Sequence, residues 1–272
     1  MSKLYPPTLP PEVHELLALL KQGIQTTLGE SLVGLYLDGS LARGGFDSAS
    51  DIDFVAVTES ELSPEQFQAL HDLHMALGQQ PHRLALDIEG FYVSREAVRR
   101  YNPRHARFAN LERGPGEQLK WVDQDQYWDV HRSVLREYGR ALLGPPPASL
   151  IDPISPDGLR RTMGSAIEEW GGYVLGRPQL VSQPGYQPYA VLTICRMLYT
   201  LNQGEIAAKK EAAAWALESL PARWQPLITQ ALHDRLQPGS APTPALSAET
   251  LAFLQFAAQT ERGYWGRKFC EG

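Results

Sequence analysis

Two short apolar runs separated by a loop rich in glycine, serine and aspartate set the strongest constraint on how this chain can fold. Leu32, Val33, Leu35, Tyr36 and Leu37 form the first run, which ends at Gly39-Ser40, and Ile52 to Val57 form the second. Runs of this length bounded by turn residues predict strand, loop, strand. Gly39 permits backbone geometry that a Cβ would resist and lets an anion approach the main chain, while Ser40 adds an amide and a hydroxyl. Asp51 and Asp53 are two residues apart, so on a strand both carboxylates lie on one face with Ile52 on the other. Two hard oxygen ligands beside an anion-binding turn suit Mg2+, which takes one or two carboxylates and fills its remaining positions with phosphate oxygens and water. A bare Asp-x-Asp is more often a turn residue followed by an outward strand position. The Gly-Ser turn ahead of this one, and the strands on either side, set it apart.

Around this core the sequence predicts helices. Val13, Leu16, Leu17, Leu20, Ile24 and Leu28 recur at helical spacing after a proline-rich lead-in from Pro6 to Pro11. Ser63-Pro64-Glu65 starts a second helix with Ser63 as its N-cap. Leu84 to Val93 reads as an extended segment with Asp87 and Glu89 on one parity. Either could supply a third carboxylate beside Asp51 and Asp53, and the pair together favours such a role over a solvent-facing strand edge. Positions 101–120 read as a surface loop or lid. Asp125 to Leu143 predicts a helix ended by Gly144-Pro145-Pro146-Pro147, with His131 on its surface. A domain boundary is expected there, dividing the chain into 1–150 and 151–272. Beyond Pro153, Leu159–Leu175, Tyr189–Leu201, Lys209–Leu220, Trp224–Leu236 and Ala248–Trp265 all read as helices of an all-α bundle, with Pro238 to Pro244 as a loop.

Composition narrows the function classes. The 31 acidic residues exceed the 25 basic ones and give a net charge of -6, which argues against a sequence-independent grip on nucleic acid. No apolar run approaches the length of a membrane span and the N-terminus lacks the order of a signal peptide, so a cytoplasmic protein without membrane partners is expected. Cys195 and Cys270 are too few and too differently placed for a disulfide framework or a zinc site, and free thiols are expected.

Gly39-Ser40, ten intervening residues and Asp51-x-Asp53 together resemble the signature of the DNA polymerase β-like nucleotidyltransferase superfamily. There the Gly-Ser turn binds triphosphate and the Asp pair binds Mg2+. The second half is more specific. Ala190 to Ile228, with Leu192-Thr193, Arg196, Tyr199, Gly204, Lys209, Trp215-Ala216 and Leu220-Pro221-Ala222, resembles the streptomycin/spectinomycin aminoglycoside 3''-adenylyltransferases.

The resemblance implies an α/β N-terminal nucleotidyltransferase domain, a mixed sheet flanked by helices, followed by an all-α C-terminal domain. In that family Mg-ATP binds between the two domains and AMP passes to a drug hydroxyl. Arg196 and Lys209 would then contact the triphosphate, Arg43 would be a further phosphate candidate, and Glu89 would be the general base and a third metal-site carboxylate, with Asp87 as the competing alignment. The expected partners are ATP and a small cationic hydroxyl acceptor, the expected state a monomer. One departure stands out: Gly176 to Tyr189, where the streptomycin-modifying enzymes place a tryptophan and acidic groups, has neither, and Glu168, Glu169 and Trp170 lie upstream. AMP transfer to a protein, or a nucleotide-binding module without catalysis, are the competing functions.

Overall fold

The computed structural model describes residues 11–44, 46, 50–123, 127–237, 239 and 241–270, with side chains described over 13–264. The lead-in before Pro11, Asp125, Pro238, Ser240 and the Cys270 thiol lie outside what is described. The chain divides into two compact units, Met1–Pro153 and Ile154–Gly272.

The first unit runs α1 (Pro11–Leu28), β1 (Leu32–Leu37), α2 (Gly39–Arg43), β2 (Ile52–Thr58), α3 (Pro64–Gly78), β3 (Ile88–Ser94), α4 (Arg95–Arg99), β4 (Arg107–Leu111), β5 (Lys120–Asp123), α5 (Trp128–Tyr138) and β6 (Arg140–Leu143). The strands form one six-stranded sheet in the order β5-β4-β3-β2-β1-β6. β2 and β3 are parallel and every other pair is antiparallel, so the sheet is mixed as expected.

Strand alternation separates two cores. Leu35, Leu37, Ile52, Phe54, Ala56, Ile88 and Tyr92 face α1 and α3, where Leu16, Leu20, Ile24 and Leu70 cover them. Tyr36, Val55, Val57, Val93 and Phe108 face the other way, against Ala97 and Val98 of α4 and Trp128 and Leu135 of α5. Asp53 and Glu89 share the parity of this second face. α5 is fixed there by the buried Arg132, whose Nε donates to Asp129 at 3.1 Å and whose Nη1 donates to the Ala97 carbonyl at 3.4 Å. α3 starts as expected: the Ser63 hydroxyl accepts from Gln66 N at 3.2 Å and Gln66 Oε1 accepts from Ser63 N at 3.0 Å, a capping box.

Three expectations are corrected. Leu84 to Val93 is not extended throughout: turn hydrogen bonds from Ala85 N to His82 O and from Asp87 N to Leu84 O, both 3.0 Å, delay the strand to Ile88. The expected loop at 101–120 contains β4, which pairs with β3 and buries Phe108, Ala109 and Leu111. The expected helix to Leu143 stops at Tyr138, and Arg140–Leu143 instead pairs antiparallel with β1. Otherwise the hydrogen-bonding groups of β1 on that side would be left open.

A buried histidine sits under the sheet. His74 of α3 stacks on Phe54 with ring centroids 5.7 Å apart, and its Nε2 lies 2.7 Å from the Tyr92 hydroxyl. Burial, with a smaller contribution from the nearby His71, pushes its pKa down to about 4. The unfolded chain, with an ordinary histidine near 6.5, therefore takes up a proton first as pH falls. The resulting stability is complete above pH ~6.5 and is lost on the way down to ~4, by up to about 3 kcal/mol. Urea midpoints measured across that window should fall less steeply for His74→Gln than for the unsubstituted protein. Equal slopes would contradict this.

The second unit holds α6 (Pro156–Leu175), α7 (Tyr186–Gln203), α8 (Lys209–Ser219), α9 (Gln225–Asp234) and α10 (Pro244–Cys270), the all-helical architecture expected. α7 is its centre: Val191, Leu192, Ile194, Cys195, Leu198 and Leu201 are all buried. Burial pushes the free Cys195 thiol up to about 12, which leaves it an inert core residue. Arg160 of α6 closes the end of α7, donating to the carbonyls of Leu201 and Asn202 at 3.3 and 3.2 Å. Among the described residues no helix is long and apolar enough to cross a membrane.

Candidate active site

The parallel register places Asp53 of β2 directly beside Glu89 of β3. Asp51 stands one residue ahead of β2 on the same parity. One carboxylate oxygen from each of Asp51, Asp53 and Glu89 lies within 4.8 Å of the others, and all three residues are half-buried. Asp87 stands apart from this group. It precedes β3, and its contribution is a backbone carbonyl that accepts from Ile52 N at 2.9 Å.

The Gly-Ser turn is packed against the same carboxylates. Asp38 N donates to the Asp53 carbonyl at 3.0 Å, tying the end of β1 to β2. Gly39 adopts φ +58°, and a Cβ there would run into the Asp53 carboxylate. Glycine is required on both counts. The Ser40 Oγ is buried and lacks a hydrogen-bond partner among the described residues, leaving a hydroxyl for a ligand oxygen. Arg43, the phosphate candidate, has its guanidinium 4.2 Å from the centre of the Tyr138 ring of α5.

In the helical unit, Arg196 lies midway along α7 and its Nε is buried without a hydrogen-bond partner among the described residues. Lys209 is the first residue of α8. Gly176 to Tyr189 lacks a tryptophan but carries Tyr186 and Tyr189; the Trp170 ring of α6 meets Tyr189 at 6.4 Å, and Tyr189 meets Tyr186 at 5.6 Å. Burial raises the Tyr186 phenol, offset in part by its hydrogen bond with Trp170.

Two neighbours of the site were not read from the sequence. His131, taken as a helix-surface residue, packs its ring 5.3 Å from Phe91, two residues beyond Glu89 on the same face, and 5.6 Å from Trp128. Arg113 reaches Asp51, Nη1 to Oδ2 2.9 Å. Their only signal lay in strand β4 and the packing of α5, neither of which periodicity revealed.

Three convergent carboxylates, a glycine cradle that a Cβ would fill and an orphaned serine hydroxyl form a donor set fit for a hard divalent cation bound with a phosphate. The carboxylates can share the cation and the turn can face the anion it brings.

Comparison with known proteins finds relatives over most of the chain. Residues 149–259 match the family described as "Aminoglycoside adenylyltransferase, C-terminal domain". An aminoglycoside (3'') (9) adenylyltransferase of Klebsiella pneumoniae is 27% identical, over 76% of this chain and 79% of its own. A spectinomycin 9-adenylyltransferase of Staphylococcus aureus (strain Mu50) is 26% identical, over 81% and 83%. The fold is shared with the crystal structure of spectinomycin adenyltransferase AAD(9) from Enterococcus faecialis with ATP and spectinomycin, at TM-score 0.70 and 18% identity, covering 92% of this chain and 99% of that one. The chain is thus similar over most of its length to aminoglycoside and spectinomycin adenylyltransferases, and its residues 149–259 match the C-terminal domain of the aminoglycoside adenylyltransferases.

Proposed function

We propose that this protein is a Mg-ATP-dependent adenylyltransferase that moves AMP onto a hydroxyl of a small cationic antibiotic, an aminoglycoside or aminocyclitol such as spectinomycin or streptomycin, with release of pyrophosphate. The observation that carries the proposal is the gathering of Asp51, Asp53 and Glu89 within 4.8 Å, beside a Gly39-Ser40 turn that only glycine can make. Mg2+ held there would supply charge stabilisation for the α-phosphate and the departing pyrophosphate. Asp51 and Asp53 would hold it there. The Ser40 hydroxyl donates to a phosphate oxygen. Glu89 takes the proton from the acceptor hydroxyl as its oxygen forms the new bond to the α-phosphorus and the bond to pyrophosphate breaks. The three intact carboxylates favour this over a module without catalysis.

Arg196 and Lys209 are proposed as triphosphate contacts, with Arg43 as a weaker one. Arg196→Ala and Lys209→Ala should raise the Kd for ATP about tenfold each, since charge-assisted phosphate contacts are about twice as strong as neutral ones. Acceptor affinity should change little. Unchanged ATP affinity in both variants, read by isothermal titration, would remove them from the nucleotide site.

The ring faces of Trp170, Tyr186 and Tyr189 suit a cationic acceptor. Streptomycin carries two guanidinium groups, and desolvating them without carboxylate partners is costly. Gly176 to Tyr189 offers no carboxylate. Spectinomycin is therefore proposed as the better acceptor. Pyrophosphate release measured across an aminoglycoside panel tests the proposal: release that depends on the acceptor supports it, and none with any member contradicts it.

A further inference from the structure

The contact between Arg113 and Asp51 is built by the backbone around it. Leu86 and Asp87, which lead into β3, present successive carbonyls to the chains on either side. Asp87 O accepts from Ile52 N at 2.9 Å, and Leu86 O accepts from Gly114 N at 2.8 Å. The segment carrying Asp51 and the segment carrying Arg113 are thus registered on the same dipeptide. Gly114 adopts φ +124°, so the turn directly after Arg113 also calls for glycine. Among the described residues Arg113 pairs with no other carboxylate.

As a stability device this ion pair is weak. The Arg113 side chain is 48% exposed and that of Asp51 23%, and pairs this open contribute little. As a competitor for a ligand atom it is well placed. The guanidinium occupies one of the two oxygens that Asp51 can offer a cation, and it brings a fixed positive charge to a cluster whose attraction for cations depends on its negative charge. A weak, open contact can also be displaced.

We propose that Arg113 is a positioning residue, the resident counter-ion of the acidic triad. It orients Asp51 in the metal-free protein and competes with divalent cation, so that the metal binds well only when it arrives with the nucleotide. The inference rests on the adenylyltransferase reading of the triad.

The test is a titration of the full chain with Mn2+ in the absence of nucleotide, following uncomplexed Mn2+ by electron paramagnetic resonance. Arg113→Gln and Arg113→Met should each bind Mn2+ about tenfold more tightly than the unsubstituted protein, the change expected when one nearby charge worth about 1.4 kcal/mol is removed. Arg113→Lys, which keeps the charge, should stay close to the unsubstituted value. Equal or weaker Mn2+ binding by folded Gln and Met variants would overturn the inference while leaving the metal site standing. Loss of folding in both variants would show a structural role and overturn it too. Absence of Mn2+ binding from all four proteins would also overturn the inference, while the proposed function is judged separately by the same titration with ATP present, where absence of Mn2+ binding would remove the metal site.

Discussion

Asp53→Asn is expected to lower adenylyl transfer by about 10³-fold or more, the loss that follows when several kcal/mol of metal-borne charge stabilisation disappear. Asp53 is the hub of the site: its carboxylate stands beside Glu89 across the parallel pair and against the face of Gly39 that a Cβ would fill. Asparagine keeps the shape and removes the charge. Folding should be little affected, because the bond that ties the turn to β2 is accepted by the backbone carbonyl of Asp53 and not by its side chain. Asp51→Asn should act in the same direction. Turnover is read as pyrophosphate release and folding as the thermal midpoint. Wild-type release from either variant would refute their role as metal ligands.

Glu89→Gln should lower turnover by about 10²-fold or more, the usual contribution of a positioned general base. Asp87→Asn should have a much smaller effect. The sequence left these two carboxylates competing, because in an extended segment both would share a face with Asp51-x-Asp53. The structure separates them. The turn at 82–87 holds Asp87 ahead of the strand, while Glu89 is the residue brought into register with Asp53. Single-turnover rates at saturating ATP distinguish the outcomes, and the reverse ranking would move the base to Asp87.

Legibility in the sequence followed the length and periodicity of each element. β1 and β2 are apolar runs closed by turn residues, and α1 and α3 repeat at helical spacing, so all four could be read directly. Asp51 and Asp53 were legible as a pair because alternation in a strand fixes which carboxylates share a face, whereas alternation left Asp87 and Glu89 both open for the third. β4 and β6 were not. Arg107–Leu111 opens on a charge and carries Asn110, while the apolar residues of Arg140–Leu143 continue the helical spacing of α5 although the helix has ended at Gly139. Both are strands because a neighbouring strand needs hydrogen-bonding partners, a condition that no local pattern records. Arg113 and His131 were missed for the same reason. Their place at the site depends on where β4 and α5 pack. Trp170 shows the converse limit, since a segment that lacks a tryptophan in sequence has one packed against it from the adjacent helix.

The most direct test of the proposed function follows the label from ATP into a drug. The protein is incubated with Mg2+, spectinomycin and ATP labelled at the α-phosphate, then in parallel with ATP labelled at the γ-phosphate, and with streptomycin in place of spectinomycin. The account predicts that the α-label enters the drug, that the γ-label leaves as pyrophosphate, and that kcat/KM is higher for spectinomycin than for streptomycin. Entry of the γ-label into the drug, or entry of neither label, would contradict it.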